Sequence, residues 1–258
     1  MDLGIAGRKA IICASSKGLG KACALALAQA GCQVVVNGRD AARLEATAAE
    51  IRAIGASVVA IAGDVGEAKV REALLAACPA PDILVNNNGG PPPQSFGEIT
   101  HDDLIRGLEA NMLTPIALTQ AVVAGMAQRR FGRIVNITSS SVRAPIAGLD
   151  VSSGARAGLT AFLAATARAL ARDNVTINAI QPGAFDTDRI RVGMAKRAAA
   201  QGLDEAQLRA EREASIPARR FGQASELGQL CAFLASAQAG YITGQNILID
   251  GGAFPGAF

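Results

Sequence analysis

Short runs of β-branched and other apolar residues alternate with longer stretches whose apolar positions recur at helical spacing, from residue 10 almost to the end of the chain. The alternation predicts a parallel sheet covered by helices, because strands buried on both faces read as continuous apolar runs and each crossover needs a helix. The predicted strands are Ala10–Cys13, Gln33–Asn37, Ser57–Ala62, Ile83–Asn86, Arg133–Thr138, Val175–Ile180 and Asn246–Ile249. Asp40 and Thr100 read as N-caps, and Gly31 and Gly55 stand where helices stop. The pattern is α/β and doubly wound, with a seven-stranded parallel sheet and helices on both faces. Right-handed crossovers then put every strand's C-terminal end, and a ligand, along one rim.

Composition narrows the functional classes. The 258 residues suffice for one large domain, and half of them are apolar while 18% are charged. A net charge of +3, one Tyr, no Trp and no basic block with interleaved aromatics argue against nucleic-acid binding. The five cysteines, Cys13, Cys23, Cys32, Cys78 and Cys231, are odd in number and embedded in apolar segments, so they read as buried hydrophobes rather than a disulfide framework or a metal site. No secretory leader and no membrane-length apolar run are evident, and a cytoplasmic address is expected.

The chemistry begins at Ile11–Gly20, where an apolar strand ends in Ala14-Ser15-Ser16-Lys17-Gly18-Leu19-Gly20 and opens into a helical run from Lys21 to Ala30. Small residues at such a junction let backbone N–H groups approach a phosphate, and the helix dipole favours its charge. The spacing is not G-x-G-x-x-G, and a turn that binds nothing has the same outline. At the tip of the second strand stands Gly38-Arg39 where a ribose-binding acid would be, with Lys17 in the nearby turn. Two cations there favour a 2′-phosphate, hence NADP over NAD. An ordinary solvated arginine ahead of Asp40 is the other reading of Arg39.

Taken together, the chain from Gly7 to Gly252 resembles the short-chain dehydrogenase/reductase family. Cys13–Gly20 matches its T-G-x-x-x-G-x-G turn with Cys13 for Thr and Ala14 for the first Gly. Asp64-Val65 stands where the family contacts adenine, and Asn86-Asn87-Asn88-Gly89 matches N-N-A-G with Asn88 for Ala. Pro182-Gly183 with Thr187 matches P-G-x-x-x-T beside the nicotinamide, and Gly244 to Gly252 matches the closing strand. The resemblance implies a single Rossmann-like domain over residues 1–258, NADP(H) as cofactor, a small carbonyl or alcohol substrate as in the 3-oxoacyl carrier-protein reductases, and a homotetramer or homodimer. It assigns cofactor contacts to Ala14, Ser16, Lys17, Gly18, Leu19, Gly20, Arg39, Asp64, Val65, Asn87, Gly89, Arg156, Pro182, Gly183 and Thr187. Residues 189–217, rich in Ala, Arg and Glu, fall where the family carries its substrate lid. Within it, Ile190, Met194, Leu203 and Leu208 face either substrate or core.

The catalytic set departs from the family. Asn111 matches its water-anchoring Asn and Ser139 its carbonyl-polarising Ser, but the expected Tyr and Lys positions hold Ser152 and Arg156. The only tyrosine is Tyr241, and no lysine occurs between Lys69 and Lys196, so no shift of register restores the pair. Arg156 keeps the positive charge and can donate to ribose, but a guanidinium is never a proton relay at neutral pH. Three readings stand: a carbonyl reductase in which Ser152, alone or through water, passes the proton; a cofactor-binding homologue with a regulatory or assembly role; and non-redox chemistry on an anion-binding cluster of Ser139, Ser152 and Arg156. His101 reads as a solvated helix-end residue, Tyr241 as packed, Asp186 and Asp188 as loop carboxylates, and Pro91–Pro93 as a stiffened rim loop.

Overall fold

The computed structural model describes residues 2–256 and contains one seven-stranded parallel sheet in the order β3-β2-β1-β4-β5-β6-β7. Its strands are β1 (Lys9–Ile12), β2 (Gln33–Gly38), β3 (Val58–Ala62), β4 (Ile83–Asn86), β5 (Gly132–Ile137), β6 (Val175–Pro182) and β7 (Asn246–Ile249). The predicted strands are all present. Cys13 and Thr138 lie just past their strands, whereas Gly38 and Pro182 extend theirs.

Alternation along each strand builds two cores. Ala10, Ile12, Val34, Val36, Ile83 and Val85 face one side, where they pack with α1 (Gly18–Gln29), α2 (Ala41–Ala53) and, from the chain's far end, the helix Ala224–Leu234. Ile11, Val35, Leu84 and Ile134 face the other, against α3 (Ala68–Ala77) and helices that follow β4 and β5. Asp40 caps α2 by accepting from the Arg43 N–H, and Thr100 makes a capping box with Asp103 at α4 (His101–Leu108). Beyond α4 the chain does not stop. A π-helical turn, Glu109–Leu113, joins it to α5 (Thr114–Gln128), so His101–Gln128 is one continuous helix.

That helix corrects the reading that nothing reaches membrane-spanning length, since by length and composition it is long and apolar enough to cross a bilayer. It serves here as a core helix: Ile116, Leu118, Val122 and Met126 are buried in the second core. The remaining helices are α6 (Asp150–Leu170), α7 (Asp188–Gln201), α8 (Glu205–Ala214) and α9 (Ala224–Leu234). Leu208 is buried, Ile190 and Met194 are half-buried, and Leu203 is exposed. Tyr241 is fully exposed rather than packed, because the turn ahead of β7 carries it outward. All five cysteines are buried and free.

Strand order reverses between β1 and β4, whose C-terminal ends therefore diverge into opposite crossovers and leave a crevice between them. The segments leaving those two strands, Cys13–Gly20 and Asn87–Gly90, form its walls.

Candidate active site

The turn after β1 is held from below by buried polar groups. Ser15 Oγ donates to the Ile12 carbonyl at 2.8 Å and accepts from the Asn37 N–H at 3.0 Å. The Asn37 side chain accepts from the Ala14 N–H and donates to the carbonyls of Ile61 and Gly63, so it ties the turn to the ends of β2 and β3. Thr47 Oγ1 binds the Ser16 carbonyl, and Asn87 Nδ2 binds that of Ala14 at 3.1 Å. Neither Ser15 nor Asn37 was singled out from the sequence. Asn37 had left a signal, a polar residue closing the apolar run Val34–Val36.

This scaffold leaves the start of α1 uncovered. Its N-cap, Lys17, makes no side-chain cap, and its first turn contains no acid, so the first N–H groups are available to an anion. A methyl group at Gly20 would lie 2.3 Å from the Ala14 carbonyl oxygen, and one at Gly38 would lie 2.7 Å from Ser16 Oγ. Gly20 is there because two backbones meet, and Gly38 because the Ser16 side chain fills the space a Cβ would take. Ala14 adopts φ +44°, the left-handed conformation that its glycine-like position demands.

A cavity of about 250 Å³ opens above the turn, lined by Ala14, Ser16, Lys17, Gly18, Leu19 and Gly20 on one side. Gly38, Arg39, Asp64 and Val65 close its β2–β3 end, while Asn87, Asn88, Gly89 and Thr187–Arg189 form the other wall. Pro182 and Gly183 stand outside the lining, with Gly183 packed on Asp250. Arg39 is largely exposed at the rim, 3.8 Å from Asp64. The parallel pairing of β2 and β3 brings Asp64 beside it. An uncapped helix start, backbones too close for side chains and cations at both ends fit a dinucleotide diphosphate carrying a further phosphate.

Three of the four candidate catalytic residues, Asn111, Ser152 and Arg156, are joined by hydrogen bonds behind the Asn87–Gly90 wall. Ser152 Oγ, on the first turn of α6, donates to Asn111 Oδ1 at 3.0 Å and accepts from Arg156 Nε at 3.1 Å, one helical turn on. Arg156 also donates to the carbonyls of Ile137 at 2.8 Å and Asn88 at 3.1 Å. Asn111 Nδ2 binds the Gly89 carbonyl at 3.2 Å. Asn88, where the family has Ala, donates to the Ala110 carbonyl and accepts from the Gly89 N–H, which fastens the wall to the π-helical turn bearing Asn111. Burial pushes the Arg156 guanidinium down to about 10, and the charge of Arg189 adds to the effect; it stays cationic at neutral pH.

Ser139, half-buried after β5, accepts from both the N–H of Ser141 (3.1 Å) and its hydroxyl (2.9 Å), and Ser153 Oγ donates in turn to Ser141 Oγ at 2.8 Å. The three hydroxyls form a hydrogen-bonded chain that ends at Ser139. Arg189 had no distinguishing sequence signal. Its guanidinium reaches Gly90, where a methyl group would lie 2.9 Å from Ser152 Oγ and 3.3 Å from Arg189 Nη2.

Comparison with known proteins agrees with this geometry. Residues 13–253 match a family model described as "Enoyl-(Acyl carrier protein) reductase". The chain is 31% identical over 252 residues to the NADPH-dependent reductase BacG of Bacillus subtilis, covering 95% of this chain and 97% of that one. It is 32% identical over 259 residues to the 3-oxoacyl-[acyl-carrier-protein] reductase FabG of Pseudomonas aeruginosa, covering 98% and 99%. Among solved structures, L-sorbose reductase from Gluconobacter frateurii, complexed with NADPH and L-sorbose, superposes with a TM-score of 0.93 at 27% identity over 99% of this chain and 100% of that one.

Proposed function

Because the chain belongs to the short-chain dehydrogenase/reductase family, we propose that it is an NADP-dependent oxidoreductase that reduces a ketone, a 3-oxoacyl group or a similar carbonyl, through an atypical Asn111-Ser139-Ser152-Arg156 site. The observation that carries this reading is Ser139, whose hydroxyl oxygen accepts from the Ser141 N–H and lies 2.9 Å from the Ser141 hydroxyl, an arrangement in which its own proton can go to a substrate oxygen. The dinucleotide, when bound, supplies the hydride. The uncapped N–H groups of α1 and Lys17 would hold its diphosphate, and Arg39 its 2′-phosphate.

Ser139 then donates to the substrate oxygen, and the Ser153–Ser141–Ser139 chain strengthens that donor by polarisation. Negative charge growing on the oxygen is met by the fixed positive charge of Arg156, which needs no reorganisation because three protein acceptors hold it. Ser152 passes the proton after exchanging Asn111 for substrate or a bridging water, with Arg156 stabilising the oxygen it leaves behind.

A second reading rests on the same contact. The Ser152 proton points at Asn111 rather than into the crevice, which suits a cofactor-binding homologue with a regulatory or assembly role. NADPH oxidation with a panel of ketones and 3-oxoacyl thioesters separates the two: turnover that Ser139→Ala suppresses supports the reductase, and absent turnover despite tight NADPH binding supports the homologue. We also assign residues 189–217, which hold α8 and all of α7 but its first residue, as the substrate lid of a single domain, and expect a cytoplasmic homotetramer or homodimer.

A further inference from the structure

Two guanidinium groups flank the Ser152 hydroxyl, one buried and one exposed. Arg156 lies behind Ser152, and Arg189, on the first turn of α7, reaches Gly90 from the other side. A methyl group at Gly90 would fill that space, at 2.9 Å from Ser152 Oγ and 3.3 and 3.5 Å from the two terminal nitrogens of Arg189. The nearby carboxylates are committed elsewhere. Asp186 pairs with Arg191 at 2.8 Å and Arg209 at 3.1 Å, while Asp188 pairs with Arg43 at 3.4 Å and Arg191 at 3.7 Å. Among the described residues none pairs with Arg189.

Like charges brought together at a crevice, with glycine keeping the gap open, are a receptor for an anion. The diphosphate is not the best occupant. Thr187, not Arg189, lies against the phosphate turn, with Cγ2 3.7 Å from a methyl built at Gly18, whereas Arg189 turns toward Ser152. Building on the reductase reading, we propose that Arg189 and Arg156 receive a carboxylate of the substrate, so that the ketone is an oxo acid rather than an uncharged ketone or thioester. Arg189 makes the direct contact from the exposed side, and Arg156 contributes field from beneath.

Calorimetric titration of acetoacetate and of its uncharged methyl ester, each into the protein with and without saturating NADP+, tests the assignment. Acetoacetate is expected to bind at least about tenfold tighter than the ester, the difference a charge-assisted bidentate contact provides. In the protein free of NADP+, Arg189→Met should erase that preference and Arg189→Lys retain part of it. Equal affinity for acid and ester, or a preference that survives Arg189→Met, overturns the proposal. So does a parallel loss of NADP+ affinity, which would give Arg189 to the dinucleotide. If the parent protein binds no NADP+, the reductase reading falls instead, and the acid–ester comparison in the free protein still decides the role of Arg189.

Discussion

Ser152 Oγ gives its only proton to Asn111 Oδ1 at 3.0 Å while it accepts from Arg156 Nε at 3.1 Å. The hydroxyl therefore bridges a neutral amide and a buried cation. Removing it by Ser152→Ala is expected to lower kcat by about 10²-fold or more, the contribution of one positioned proton-transfer group, with little change in NADPH affinity. Steady-state kinetics and a cofactor titration on the same variant check the pair of outcomes.

Arg156 serves three acceptors that diverge from its planar fork, which a single ammonium nitrogen cannot span. Arg156→Lys alone should destabilise the protein by about 1–3 kcal/mol, since it strands buried oxygens. Chemical denaturation measures this. Adding Ser152→Tyr to that variant rebuilds the pair used by the family and should raise ketone turnover above that of Arg156→Lys alone.

Arg39 stands at the β2 tip and shares the rim with Asp64. Arg39→Asp is expected to weaken NADPH by about 10- to 100-fold, corresponding to a lost charge-assisted hydrogen bond, while NADH changes little. Equal losses with both would remove the 2′-phosphate from the account.

Asp186 joins the base of α7 to α8 through Arg209 and Arg191, and these partners hold its carboxyl below the usual carboxylate range. A depressed folded pKa gives stabilisation that is complete above about pH 4, the ordinary carboxylate value, and fades as pH falls through the folded one. The protection factors of amides in residues 205–214, corrected for the pH dependence of intrinsic exchange, should therefore fall below that pH in the parent, and Asp186→Asn should show the lowered protection at neutral pH as well.

Ala14 pays for its left-handed φ of +44°, where glycine would not. Ala14→Gly should raise stability by about 0.5–1 kcal/mol, the relief of strain less the added freedom of the unfolded chain. Thermal melting reads it directly.

The strands were legible because both faces of this sheet are buried, so Ile83–Val85 and Val34–Val36 stand out as unbroken apolar runs. Strand ends were less so. Gly38 and Pro182 belong to β2 and β6 because neighbouring backbones pair with them, which local propensity does not report. The first helix was placed late for a related reason: Gly18 and Gly20 are poor helix formers, and close packing against Ala14 and Asn87 selects the second of them. The π-helical turn that presents Asn111 leaves no mark in hydrophobic spacing. Arg189 was passed over because a lone arginine on a polar helix is unremarkable until the fold sets it opposite Gly90 and Ser152.

The most direct test of the central claim is calorimetric titration of the purified chain with NADPH and with NADH. Saturable NADPH binding at one site per chain, at least about tenfold tighter than NADH, is the expected result. No binding of either dinucleotide would contradict the account at its root.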